Sequence, residues 1–265
     1  MTRRIRTLLG DCLFRTGLDA PLLGDAAVVV AFHRVRDGAP VSDGLTTSVT
    51  MFERYCRFFR RHFRVVALRE LIVRMETGRH LRRTLAITFD DGYRDNYECA
   101  APVLERLGLP ATFFVVTDWM GSSVVPWWDE ALGARHPWMT WENVRSLHQR
   151  GFQIGAHTRT HIDLGKVTGA LANEEIAGSR CKLEDQLDAP VDAFAYPYGL
   201  RGNVTEANRA LVKAAGFRCC CSAYGGTNPR GTDPFRVHRV PISPWFRSPS
   251  DLGLDVALGR SFLSE

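Results

Sequence analysis

Seven short apolar stretches, rich in β-branched and aromatic residues, punctuate the chain: 26–33 (AAVVVAFH), 84–89 (TLAITF), 111–116 (ATFFVV), 152–157 (FQIGAH), 192–197 (DAFAYP), 217–223 (FRCCCSA) and 235–242 (FRVHRVPI). Apolar character sustained over roughly four to eight residues predicts strands buried on both faces, the pattern of a parallel sheet. Between them the apolar spacing turns helical. Segments 52–63 and 96–108 have this period, the second stopping at Gly108 with Pro110 just beyond. Thr140 is placed to cap a helix over 141–149, with Asn143 three residues on and Gly151 after its end. Helices are also predicted over 173–187 and 205–215, the latter closed by Gly216. This alternation predicts an α/β fold with a parallel sheet and, at this length, a barrel. Chemistry in such barrels gathers at the C-terminal ends of the strands, where the polar residues of this chain fall.

Composition adds bounds. With 265 residues, 45% of them hydrophobic and 24% charged, the chain suits one globular domain, residues 27–265, preceded by a basic segment, residues 1–26. No apolar run approaches the roughly 18 residues a spanning helix needs. The net charge of +5 is carried almost wholly by arginine and is spread in short runs, so nucleic acid is not implied, while an anionic substrate or lipid headgroup fits. Ile5, Leu8, Leu9, Cys12 and Leu13 fall at near-helical spacing behind Arg3, Arg4 and Arg6. Two readings follow: a helix packed on the domain, or one lying on an anionic membrane surface. The N-terminus lacks the apolar core and cleavage pattern of a secretory signal, so the expected location is cytoplasmic, with peripheral contact at the inner membrane. Seven cysteines, three consecutive at 219–221 and none in a C-x-x-C pair, predict free thiols rather than a disulfide framework or zinc knuckle.

Two clusters carry chemistry. Thr88-Phe89-Asp90-Asp91-Gly92 puts adjacent carboxylates at a strand end, followed by a glycine that lets the chain turn. Such a turn can bring both into one cleft in different environments, one to ligate a metal and one to act as a base; Asp-Asp-Gly is also an ordinary turn. His157-Thr158-Arg159-Thr160-His161 offers two imidazoles four apart, which helix-like backbone would place on one face. With Asp91 they make a two-histidine, one-carboxylate site with open coordination positions, suited to a catalytic divalent ion, zinc first. Trp127, Trp128 and Asp129 follow Pro126 and either wall a sugar subsite or staple the next turn. His33 ends the first strand, at the same barrel mouth, and nothing in the sequence fixes its role.

TFDDG (88–92), HTRTH (157–161), AYPYG (195–199), AFHRV (31–35) and MTWENV (139–144) together resemble the polysaccharide deacetylase family, the NodB-homology group of carbohydrate esterases, across residues 27–243. The resemblance implies a distorted (β/α) barrel of about seven parallel strands. It implies metal-dependent removal of N-acetyl groups from an amino sugar of a surface polysaccharide, or of its lipid- or nucleotide-linked precursor. It assigns Asp91, His157 and His161 to the ion and Asp90 as general base toward a metal-activated water. The Tyr198 N–H, aimed by Pro197, becomes the oxyanion donor, and His238 the acid that protonates the leaving amine, although an outward-facing strand histidine reads equally well. Trp127, Trp128, Asp129 and Pro197 are the implied substrate contacts. The family's third motif begins with an arginine that orients the base, and here Ala195 takes its place. Either another residue such as Arg159 substitutes, or Asp90 is held less firmly. Alternative readings are a deformylase or other amide hydrolase, and a sugar-binding barrel without turnover.

Overall fold

The computed structural model describes residues 3–38, 43–244, 246, 248–260 and 262; the side chains of Arg3 and Arg4, two of the three N-terminal arginines expected to meet lipid, lie outside the description. Strand β1 (Ala26–Phe32) pairs in parallel with β2 (Thr84–Phe89), from Ala27 opposite Thr84 to Phe32 opposite Phe89. Strands β3 (Thr112–Val115), β4 (Gln153–Ala156), β5 (Ala193–Ala195) and β6 (Cys219–Cys221) continue the parallel order. The last, β7 (Val240–Pro241), returns to the free edge of β1, also in parallel. Just before it, Val237 bridges Cys221 of β6, so residues 237–241 touch both edges of the curled sheet. Two further short strands, Arg64–Val65 and Asn228–Pro229, extend it to nine, the second antiparallel. This is the expected distorted barrel.

Every residue of β1 and β2 is buried, because one face of each strand meets helices and the other the barrel interior. Val28, Val30 and Phe32 join the outer core, whereas Ala27, Val29, Ala86, Ala193, Ala195 and Cys221 share the second, inner cluster with Phe114. Small interior side chains leave room for a long polar one among them, which decides the active site below. Helix α1 (Arg3–Thr16) and α2 (Asp19–Leu23) precede the barrel. Helix α3 (Val49–His62) buries Phe52, Tyr55, Cys56 and Phe59, and α4 (Leu68–Glu76) sends Leu68, Leu71 and Met75 into the inner cluster.

The predicted 96–108 helix forms with a difference. It opens as a π-helical turn, Asn96–Ala100, before α5 (Ala101–Leu107), where Pro102 has no N–H to donate to the preceding ladder. A short α6 (Trp127–Glu130) occupies the expected Trp-Trp loop. Helix α7 (Trp141–Gln149) carries the full capping box of Thr140 and Asn143. Helix α8 (Gly169–Leu187) starts four residues earlier than its apolar pattern suggested, and α9 (Glu206–Ala214) follows. Helix α10 (Pro249–Ala257), not predicted, packs on α1 and α2. The predicted 235–242 strand is mostly irregular: Pro234–Arg236 form a 3-10 turn and only Val240–Pro241 pair as a strand. All seven cysteines are free, as their spacing suggested.

Candidate active site

The ends of β2, β4 and β5 converge at one mouth of the barrel, and the backbone there is strained to aim its side chains. Asp91 (φ 71°), Thr158 (φ 64°), His161 (φ 60°) and Tyr198 (φ 60°) are four of the six non-glycine residues in left-handed conformations among those described. Such conformations cost free energy and persist where surrounding contacts impose them. The reversal at Asp91 turns its carboxylate into the cleft that Asp90 also faces, and Gly92 completes it at φ 87°. A Cβ on Gly92 would lie 2.7 Å from Met120 Cε, so the turn needs glycine for space as well as conformation.

Asp91, His157 and His161 bring one ligand atom each within 4.8 Å of one another. Both imidazole Nε2 atoms lie 3.4 Å from Asp91 Oδ1. The His157 Nδ1 is 2.8 Å from the Ala195 carbonyl; donating there fixes the tautomer that leaves Nε2 as a lone-pair donor. The geometry is not the helical turn inferred from the four-residue spacing. His157 ends β4 and His161 follows a left-handed loop, in which Thr158 Oγ1 accepts from the His161 N–H at 3.0 Å. Buried Glu175 of α8 pins that loop by accepting from the Arg159 and Thr160 N–H groups at 2.8 and 2.9 Å and from the Thr160 hydroxyl at 2.8 Å. No local pattern around Glu175 marks that role. Two imidazoles and a carboxylate, buried and with their donor atoms converging, suit a divalent ion. Burial raises the Asp91 carboxyl, but the His157 and His161 imidazoles beside it outweigh that and hold it well below the ordinary value; burial lowers His161.

Asp90 is clamped by a residue the sequence reading passed over. Fully buried Arg239, adjacent to β7, donates from Nη1 and Nη2 to the two carboxylate oxygens of Asp90, each at 2.7 Å. Its Nε donates to the Ser222 carbonyl at 2.7 Å, and Nη1 reaches Thr88 Oγ1 at 3.2 Å. A bidentate fork fixes the carboxylate plane as well as its charge. Burial pushes Asp90 up, yet Arg239, His157 and His33 together bring it below the ordinary carboxyl value, so it is ionised at neutral pH. The expectation for Arg159 is therefore corrected: its guanidinium pairs with Asp118 and Glu174 on the outer surface. Ala195 belongs to the same inner cluster that Arg239 enters, stacked over Phe114 at 5.5 Å. A small residue at 195 leaves space for this arginine, which arrives beside β7.

His238 does not join the cluster. Neighbouring residues in extended chain face opposite ways, so with Arg239 pointing inward the His238 ring lies outside, 5.4 Å from the Tyr224 ring, in a pocket shared with Tyr196, Arg209 and Cys220. His33 follows Phe32, whose carbonyl accepts from the Asp90 N–H at 2.9 Å, which puts it beside the carboxylates; its Nδ1 is buried without a partner, and Asn96 holds its backbone by donating to the His33 carbonyl at 2.6 Å.

Aromatic rings wall the mouth. The Trp128 ring stands 5.0 Å and the Tyr198 ring 4.9 Å from His161, while Trp127 is 65% exposed and its Nε1 lies 3.5 Å from the Tyr198 hydroxyl. Asp129 is not available to substrate hydroxyls. It is fully buried, ion-paired to Arg34 and hydrogen-bonded by the Tyr93 hydroxyl, which also accepts from Trp128 Nε1 at 2.9 Å. Buried charge requires a partner, and Arg34, bridging Asp129 and Asp43, supplies it; the network fastens α6 so that Trp128 covers His161. Pro197 is likewise buried and shapes the turn instead of offering a surface, whereas Tyr198 is exposed.

The polysaccharide deacetylase family model matches residues 77–220, more than half of the chain. The chain belongs to the polysaccharide deacetylase family. Its similarity to the putative polysaccharide deacetylase YxkH of Bacillus subtilis is 29% identity over 61% of this chain, a match spanning about half (52%) of that relative. Similarity to the poly-beta-1,6-N-acetyl-D-glucosamine N-deacetylase of Staphylococcus epidermidis is 25% over 83% of this chain and 80% of that one. Among solved structures, IcaB from Ammonifex degensii (24% identity, TM-score 0.74, 89% of this chain and 98% of that one) shares the fold. So does the Streptococcus pyogenes deacetylase PplD in complex with acetate (19%, TM-score 0.74, 88% and 98%). The deacetylase match contains Asp90, Asp91, His157, His161 and Tyr198 but ends before Arg239 and begins after His33.

Proposed function

We propose that this deacetylase-family protein hydrolyses the N-acetyl amide of an amino sugar in a surface polysaccharide or its precursor, with a divalent ion, zinc first, at Asp91, His157 and His161. The observation that carries the reading is the pairing of that open ligand set with a second carboxylate, Asp90, ionised and locked in orientation by Arg239. The ion, when bound, would supply Lewis-acid polarisation of the amide carbonyl and acidify a water. Asp90 accepts the proton as the water oxygen bonds to the carbonyl carbon. The Tyr198 N–H donates to the developing oxyanion. Collapse breaks the C–N bond, and His33 is the group we assign to protonate the departing amine, giving acetate and a free amino sugar. Exposed Trp127 and Tyr198, with Trp128 behind them, offer flat apolar faces for a sugar ring.

The test is acetate release by the zinc-loaded protein from β-1,6-linked N-acetylglucosamine oligomers, the polymer type in the name of the Staphylococcus relative, beside lipid- and nucleotide-linked N-acetylhexosamines and their N-formyl counterparts. Acetate from any N-acetyl sugar supports the reading. Formate alone would make the protein a deformylase, and metal binding without release of either acid would make it a binding barrel. Trp127→Ala should raise KM about 10-fold, with kcat within a factor of two, because a stacking wall distant from the scissile bond contributes uniform binding. His33→Gln should lower kcat by about two powers of ten or more, the scale of a lost general acid, while His238→Gln leaves it within a factor of two. The reverse ranking would restore His238 as the acid.

A further inference from the structure

Six of the twelve large apolar side chains exposed among the described residues fall in one region: Ile5, Leu8 and Leu9 on α1, Leu18 and Leu22 around α2, and Leu258 at the end of α10. The packing of α1 explains which face is left outside. Gly10 sits against the Ser250 backbone so closely that a Cβ would lie 2.2 Å from the Ser250 carbonyl oxygen, and Phe14 is buried against Phe58 and Gly253. Arg6 pairs with Asp255 at 2.6 Å on one flank. With Gly10 and Phe14 turned inward, Ile5, Leu8, Leu9 and Cys12, spaced i, i+3, i+4 and i+7, form the outward stripe; Leu8 is 67% exposed.

A basic groove borders the stripe. Between α1 and α3 a cleft of about 250 Å³, floored by Phe14 and Phe58, is lined by Arg15, Arg57 and Arg61. All three arginines are exposed. Its acidic neighbours are Asp11, bonded to the Ser250 hydroxyl, and Glu53, paired with Arg57 and Arg106. Helix α1 supplies Leu8 and Arg15 two turns apart, so the apolar stripe and the guanidinium shoulder are continuous.

We propose that this face docks on an anionic lipid surface, the leucine stripe entering the acyl boundary while Arg15, Arg57 and Arg61 meet lipid phosphates. A bilayer interface takes a convex apolar stripe and an adjoining row of guanidinium groups together, and anionic headgroups complement the charge. No helix among the described residues is long and apolar enough to cross a membrane, so the contact is peripheral. The topology sets the orientation. Helix α2 leads directly into the N-terminal end of β1, whereas Asp90, Asp91 and His157 lie at the C-terminal ends of their strands. The seven residues of β1 span about 20 Å, so the mouth opens away from the lipid, toward a glycan standing off the surface.

Deleting α1 would uncover the α10 face that Gly10 and Phe14 cover, so point substitutions in the full chain are the cleaner test. Flotation with phosphatidylcholine vesicles, with and without 30% phosphatidylglycerol, should show binding to the anionic vesicles at low salt that falls at least tenfold at high salt. Leu8→Glu with Leu9→Glu should reduce that binding at least tenfold without changing thermal stability or acetate release from a soluble oligomer. Arg57→Glu with Arg61→Glu should reduce it specifically on anionic vesicles. The proposal is overturned by equal binding of native and variant proteins, by no binding to anionic vesicles, or by a dimer in light scattering that the leucine substitutions abolish. Only the orientation argument rests on the deacetylase reading. Absence of acetate release with intact vesicle binding would reject that reading and leave the docking face standing.

Discussion

Asp90→Asn should lower kcat by about two to four powers of ten while the protein keeps its metal, and Arg239→Ala should cost about two powers of ten in the native background but almost nothing further once Asp90 is asparagine. The fork from Arg239 to both oxygens of Asp90 is buried and bidentate, so its effect on catalysis passes through the orientation and charge of that carboxylate. Residues that act as a unit are non-additive, and this pair meets that condition by direct contact. The fold responds too. Removing the guanidinium leaves a buried carboxylate unpaired, expected to cost about 3–5 kcal/mol in denaturant unfolding. A good part of that loss should return in the double variant, where no charge is stranded. Arg239→Lys keeps the charge but loses the fork, so it should fold better than the alanine variant and still turn over poorly, with KM little changed. Additive losses across the Asp90–Arg239 cycle would show that Arg239 acts elsewhere. An active Asp90→Asn enzyme would reject Asp90 as the base altogether, and loss of its metal would make Asp90 a ligand.

His161→Ala should lose most of its bound metal and nearly all activity. Its Nε2 is one of three donors converging within 4.8 Å, and the loop that holds it is fixed by Glu175 and Thr158, so its removal leaves only two of the three. Substituting a group that only hydrogen-bonds a metal ligand costs about 10–100-fold in metal affinity, so removal of a direct ligand should exceed 100-fold. Elemental analysis after dialysis reads the stoichiometry. Chelation of the native protein should reproduce the inactive state, and added zinc should reverse it only in the native chain. One equivalent of metal retained by His161→Ala would reject the ligand set. Glu175→Gln provides a graded comparison, with weakened metal binding and the ligands themselves intact.

The legible part of the molecule is local. Seven apolar runs foretold the parallel strands because a strand covered on both faces admits few polar residues, and that requirement is written consecutively in sequence. Asp90-Asp91-Gly92 and His157 to His161 were recognisable for a related reason: each cluster lies within five residues at a strand end, where the chain must turn and polar groups can gather. Thr140 and Asn143 announced α7 through a cap that spans three residues. Helix α10 and the π-helical entry to α5 were less visible, since one depends on burial against the distant α1 and the other on how a proline interrupts a ladder.

What the tertiary structure alone decided is how distant groups share one small space. Arg239 and Asp90 are 149 positions apart, and no short pattern connects them; the barrel makes them neighbours when residues 237–241 fold back between β6 and β1. The same return turns Arg239 inward and, by the alternation of an extended chain, His238 outward. A histidine singled out by its place in a motif thus points away from the carboxylates while the arginine beside it reaches Asp90. Asp129 followed similar logic: an acid in an aromatic loop looked free to meet a sugar until Arg34, 95 residues away, claimed it. The sequence by itself determined the strands, the metal-ligand candidates and the family, because these rest on residues close in the chain. Closure of the barrel determined which guanidinium holds Asp90 and which carboxylate is locked away, because burial obliges every charge to find its partner wherever the fold brings one within reach.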